Sequence, residues 1–270
     1  MSGDRRTILA MGGGGFTMEP SPALDRYALE LSGRPVPRIC FLPTASGDPR
    51  EQTTRFYERY RDWPCEPSIL SLFHLGRDRL DPREHLLGQD VIYVGGGSMR
   101  NMLAVWREHS VDEIMRAAWE RGIVLAGLSA GAMWWFEGGV TISGGFAAVS
   151  AGLGLVGGSF SVHLDSEPER LLVFREAIAT GRLPAGFAAD DGAALVLYGT
   201  EPHHCVSSRA PARVVSIAPD GDGGTVEQEL TVRPLPAATP APADAGSLVT
   251  DEAERVEELR ALRDRHHHWD

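Results

Sequence analysis

The sequence contains no lysine: all 26 of its fixed side-chain cations are arginine, set against 37 aspartates and glutamates, for a formal net charge of −11. That balance argues against nucleic acid as a partner, because phosphate-backbone binding needs clustered cations to displace condensed counterions. Cysteine is scarce. Cys40, Cys65 and Cys205 are widely spaced with no Cys-x-x-Cys pair, so neither a disulfide framework nor a zinc knuckle is expected, and Cys40, within Arg-Ile-Cys-Phe-Leu-Pro, reads as a buried structural thiol. Long apolar runs are missing as well. The N-terminal segment reaches Gly12 after an apolar stretch too short for a signal peptide or a membrane span. The expectation is a cytoplasmic protein with no membrane association.

What is present is 43% apolar residues over 270 positions, enough for a sizeable core. Short β-type runs at Thr7 to Met11, Arg38 to Leu42, Ser68 to Phe73, Asp90 to Val94 and Ile123 to Ala126 alternate with one-sided helical stretches at Leu24 to Leu31, Gln52 to Asp62, Arg100 to Arg107 and Val111 to Arg121. Such alternation predicts parallel βαβ units, hence an α/β fold with a mostly parallel sheet flanked by helices. Later strands at Ala193 to Tyr198, His204 to Ser207, Ala212 to Ile217 and Thr225 to Val232 lack intervening helices, which suggests an antiparallel C-terminal extension of that sheet; one helix is expected near Glu167 to Thr180. The predicted organisation is a domain over 1–233, a Pro/Ala-rich linker over 234–248, and a C-terminal helix and tail over 249–270.

Three predicted strands run into glycines: Gly12 to Gly15, Gly95 to Gly97 and Gly127. Open α/β folds carry their sites at this edge. The third is Gly127-Leu-Ser-Ala-Gly131, between a strand and a helix start, the context of a nucleophile elbow that lifts a serine hydroxyl, here Ser129, clear of the sheet. A serine capping a helix is the plainer reading, but capping does not account for both glycines. In the elbow reading the Ala130 amide faces a developing oxyanion, and Gly96, without a Cβ, is suited to supply a second amide. Gly12 to Gly15 lacks the ending of a P-loop and the spacing of a dinucleotide fingerprint and reads as a wall of the site. Trp134 and Trp135 read as core, and His266 to His268 as a tail.

Four segments in order, Leu9-Ala-Met-Gly-Gly-Gly-Gly-Phe16, Phe41-Leu-Pro-Thr-Ala-Ser46, Tyr93-Val-Gly-Gly-Gly-Ser98 and Gly127-Leu-Ser-Ala-Gly131, resemble the peptidase E family of serine peptidases. The resemblance continues through Gly152 to Val156, His163 and Pro184 to Ala194, covering about residues 6 to 215. It implies an amidotransferase-like, flavodoxin-like sheet with no metal and no organic cofactor. It also implies a serine hydrolase, a dipeptidase acting on short peptides with an N-terminal aspartate. Such relatives admit a homodimer.

The resemblance implies that Ser129 is the nucleophile and His163 the general base. Where many members carry an acid in a Thr-Asp-Ser segment, this chain has Thr141-Ile-Ser143. Glu137 resembles the glutamate of a subset and is taken as the acid; Asp190 and Asp191 are the alternatives, and Asp191 is otherwise a substrate-binding candidate. Arg170 stands near where the family supplies an arginine for the substrate carboxylate. Ser98 replaces an asparagine common after the triple glycine and is read as a substrate contact that loosens aspartate specificity. Competing readings are a cyanophycinase-like or other amide hydrolase, and a binding protein that kept the elbow without a working acid.

Overall fold

The computed structural model describes residues 6–236. The chain begins with β1 (Thr7–Met11), followed by α1 (Gly15–Met18), α2 (Ala23–Glu30), β2 (Arg38–Leu42), α3 (Arg50–Tyr60), β3 (Glu66–Ile69), α4 (Leu75–Asp78), α5 (Pro82–Leu87), β4 (Val91–Val94), α6 (Met99–Glu108), α7 (Val111–Glu120), β5 (Val124–Leu128) and α8 (Ala130–Met133). β1, β4 and β5 are buried at every position, as parallel strands covered on both faces must be. The pleat divides them between two cores. Ile8, Ala10, Ile92 and Leu125 pack on one face, and Leu9, Met11, Val91 and Tyr93 on the other, which is the two-residue alternation of a strand.

The rest of the chain forms β6 (Gly138–Thr141), β7 (Ala148–Ala151), β8 (Ser159–Ser161), α9 (Pro168–Ala179), β9 (Gly186–Ala189), β10 (Ala193–Tyr198), β11 (Glu201–Ser207), β12 (Val214–Pro219), β13 (Thr225–Glu229) and β14 (Val232–Pro234). Two sheets result, ordered β14-β11-β10-β1-β5-β4-β2-β3 and β13-β12-β9-β8-β6-β7. The first is parallel from β1 through β3, with β10 antiparallel to both β1 and β11.

The expectation of a single extended sheet is therefore corrected. β10, β11 and β14 do extend the first sheet, but β12 and β13 join a second sheet with β6 to β9. Those four strands, of three or four residues and containing Gly138, Gly139 and Gly186, are too short to show a period in the sequence. The strand expected at Ser68 to Phe73 starts earlier, as β3, and yields to a 3₁₀ turn at Leu72–His74. Pro234 closes β14 rather than opening the linker; the remainder of that linker beyond residue 236 and the terminal helix lie outside the described residues. No described helix is long and apolar enough to cross a membrane.

The three cysteines are unbonded, and burial pushes the Cys40 thiol up to about 12, as for an inert packing residue. Trp106, Trp134 and Trp135 are fully buried, with Trp106 edge-on to Trp134 at 4.8 Å. They form a stiff block behind the turn that follows β5.

Candidate active site

β4, β5 and β1 are neighbours running the same way, with Val94 level with Gly127 and Met11 level with Leu128. Their carboxyl ends therefore bring Gly12, Gly95 and Ser129 to one edge. Ser129 itself has φ 52° and ψ −120°, a conformation costly for a residue with a Cβ and seen where structure imposes it. The flanking glycines are explained by space. A Cβ on Gly127 would lie 2.1 Å from the Gly131 carbonyl oxygen, and one on Gly131 would lie 2.2 Å from that of Val94. The Ser129 amide donates to the Met11 carbonyl at 3.1 Å, tying the turn to β1.

His163 follows β8 of the second sheet, also with positive φ, at 57°, and its amide donates to the Gly12 carbonyl at 3.1 Å. Its Nε2 lies 2.9 Å from Ser129 Oγ, and its Nδ1 lies 2.5 Å from Asp191 Oδ1. An anionic acceptor at Nδ1 favours the tautomer whose proton sits there, leaving Nε2 to accept from the serine. The imidazole is mostly buried, at 8% exposure. Burial tends to raise the Asp191 carboxyl, but its hydrogen bond to His163, the charge of that ring, the Ser166 hydroxyl and the Arg209 guanidinium outweigh this and hold it below the usual carboxylate range.

Glu137 is elsewhere, and the expectation that it orients His163 is corrected. α8 is a single turn, after which the chain runs away into β6, and the Glu137 carboxylate accepts the Gly158 amide at 2.8 Å. Asp190, the other alternative, is buried facing away, bound to the Arg213 amide at 2.8 Å and to its guanidinium. Asp191 thus takes the position beside the imidazole. The signal available in the sequence was the acidic pair itself at the end of β9; which member turns inward depends on tertiary contacts.

The amides of Gly96 and Ala130 have no acceptor among the described residues. Gly96 sits against the serine, where a Cβ would be 3.3 Å from Ser129 Cβ. Ser98 caps α6, its Oγ accepting the Asn101 amide at 3.3 Å, a sufficient structural reason for its presence. Arg170, in the first turn of α9, is 4% exposed, with Nε 2.6 Å from Glu167 Oε2, although the two are not aligned as a hydrogen bond. Burial lowers its pKa, while Glu167 and Asp191 act in the opposite sense.

Two features stand out at this edge, the first in the glycine loop that the sequence offers as a wall of the site and the second unread there. Gly13 backs the His163 ring, since a Cβ there would be 1.9 Å from Asp191 Oδ1 and 2.9 Å from the imidazole. Beneath the same loop, buried Asp25 accepts the Phe16 amide and the Tyr93 hydroxyl, each at 3.1 Å, with Arg59 Nε at 3.4 Å. Burial pushes its carboxyl up to about 7, against Arg59 and these hydrogen bonds. Among the described residues no group of three or more His, Cys, Asp or Glu side chains is arranged to hold a metal ion.

Comparison with known proteins gives a family and a fold. The profile described as Peptidase family S51 matches residues 8–204. An uncharacterized peptidase, YgaJ, of Bacillus subtilis (strain 168) is 45% identical over 232 residues, covering 86% of this chain and 97% of its own. Among solved structures, a peptidase from an acI-B1 Actinobacterium superposes with a TM-score of 0.63 at 19% identity, over 84% of this chain and 94% of that one. A putative peptidase E protein from Listeria monocytogenes EGD-e gives 0.55 at 15% identity, over 84% and 100%. At these identities the two structures speak to the fold alone.

Proposed function

The chain belongs to peptidase family S51, and from that premise we propose that it is a serine exopeptidase hydrolysing short peptides through an acyl-enzyme on Ser129. One observation carries the reading: a continuous line from Asp191 Oδ1 through the His163 ring to Ser129 Oγ, at 2.5 and 2.9 Å. The turn at Ser129 acts as the nucleophile elbow. His163 takes the serine proton as Oγ attacks the scissile carbonyl and returns it to the leaving amine; Asp191 holds the tautomer and stabilises the imidazolium. The free amides of Gly96 and Ala130 stabilise the oxyanion. A water activated by the same imidazole then releases the acyl group.

The finer proposal is an acidic first residue, its carboxylate met by Arg170, whose planar fork suits that group. A broader specificity is favoured by Glu167, which already lies 2.6 Å from the Arg170 Nε and so offsets the charge an incoming aspartate would use.

A fluorophosphonate probe tests the chemistry. Wild type is expected to label at one residue, Ser129, while Ser129→Ala and His163→Ala remain unlabelled; a folded wild type that fails to react overturns the proposal. A dipeptide panel with Asp, Glu, Asn and Leu in first position tests the substrate. Cleavage indifferent to that residue eliminates the acidic specificity but not the serine chemistry.

A further inference from the structure

Asp191 lies on the short turn between β9 of the second sheet and β10 of the first, so no ladder holds its backbone. Two charged side chains do so instead. Asp165 Oδ1 accepts the Asp191 amide at 2.9 Å, Arg209 Nε donates to the Asp191 carbonyl at 2.8 Å, and Arg209 Nη2 is paired with the other oxygen of Asp165. These contacts close a ring in which both backbone polar groups of one residue are gripped by one ion pair. The Ser166 hydroxyl donates to Asp191 Oδ2 at 3.0 Å, leaving Oδ1 to face His163. Gly192 keeps the ring closed: a Cβ there would be 3.0 Å from both Cγ and Nε of Arg209.

We propose that Asp165 and Arg209 are positioning residues for the proton relay, fixing the Asp191 carboxylate against His163 without touching the reacting atoms. This rests on the reading of Asp191 as the acid of that relay. The physical need is specific. The Asp191 side chain has two rotatable bonds, and although the neighbouring peptides are anchored, the Gly192 amide to Gly13 and the Asp190 amide to Arg213, the amide and carbonyl of Asp191 itself are held by Asp165 and Arg209. Displacing a catalytic group by about 1 Å costs roughly 10²-fold in rate, and loss of an outer partner of a functional group typically costs about 10- to 100-fold. Arg209 is suited to the task because one guanidinium can donate in two directions at once, to a carbonyl and to a carboxylate, which an ammonium does poorly.

The test compares Arg209→Ala, Arg209→Lys, Asp165→Asn, the Arg209→Ala/Asp165→Asn double variant and Asp191→Asn in the full chain. The readouts are fluorophosphonate labelling rate, kcat and KM on a cleaved dipeptide, and the low-field proton resonance of the His163 Nδ1–H. Arg209→Ala and Asp165→Asn should each lower kcat about 10- to 100-fold, with KM within about twofold and the resonance weakened or lost. The double variant should be no worse than the poorer single one, because the ring is opened once. Added guanidinium should restore part of the Arg209→Ala rate. Arg209→Lys keeps the charge and should fall between; it carries the test if the alanine variant does not fold. Wild-type kcat and an unchanged resonance in folded Arg209→Ala or Arg209→Lys, with Asp191→Asn inactive, would overturn the positioning role alone. Full activity in Asp191→Asn would instead remove the acid assignment on which it rests.

Discussion

Asp191 Oδ1 approaches His163 Nδ1 to 2.5 Å, while the acid nearer in sequence to the serine, Glu137, spends its carboxylate on the Gly158 amide. The two carboxylates therefore predict opposite phenotypes. Asp191→Asn should reduce kcat by about 10⁴-fold, the loss that accompanies a wrongly held imidazole tautomer. Glu137→Ala should leave kcat within about twofold and lower stability by about 1 kcal/mol, the contribution of one hydrogen bond. Steady-state kinetics and urea unfolding on both variants check the pair; a reversal of the two phenotypes would return the acid role to Glu137.

Gly13→Ala should inactivate the protein while leaving it folded. The added methyl would meet Asp191 Oδ1 at 1.9 Å and the imidazole at 2.9 Å, so either the carboxylate or the ring must yield. A rate loss of about 10²-fold or more is expected, with a stability cost of about 1–3 kcal/mol for the forced shift. Retained labelling at the wild-type rate would show that the loop moves aside instead.

Glu167→Gln should sharpen selectivity for an acidic first residue. Removing the anion beside Arg170 leaves a buried guanidinium unpaired, and an incoming carboxylate then supplies the missing charge. The ratio of kcat/KM for Asp-first over Asn-first dipeptides should rise about tenfold, the equivalent of roughly 1.4 kcal/mol. An unaltered ratio would mean that Arg170 does not meet the substrate.

Stability should depend on pH through Asp25. Burial pushes its carboxyl from the ordinary 3.8 up to about 7 in the fold. The folded state therefore keeps a proton that the unfolded chain has released. The stability linked to that proton is full below about 3.8 and is lost as pH rises through about 7. Asp25→Asn mimics the protonated form and does not titrate. Its stability relative to wild type should climb by on the order of a few kcal/mol between pH 4 and pH 8, approximate bounds set by the shift. Urea midpoints across that range read the effect, and a flat difference would contradict it.

The sequence is legible where one segment carries the whole reason. β1, β2, β4 and β5 are continuous apolar runs because both faces are covered, and the turn at Ser129 declares itself through two glycines that have no room for a Cβ. His163 is less legible: its position after β8 depends on a second sheet whose strands are too short to show a period. The acid is the least legible of the three. Asp190 and Asp191 differ by one position, and which of them faces the imidazole is decided by Arg213 drawing Asp190 outward. Glu137, taken from the resemblance to a subset of the family, misleads because α8 ends at Met133 and the Glu137 carboxylate accepts the Gly158 amide instead.

Ser129 hangs from one sheet and His163 from the other, with Asp191 on the peptide that crosses between them. Hydrolysis is thus a gauge of how the two layers are docked. A slip of about 1 Å between them would part the line from Asp191 to Ser129 while every strand stayed paired, so heat or mild denaturant should silence the enzyme before circular dichroism registers any melting.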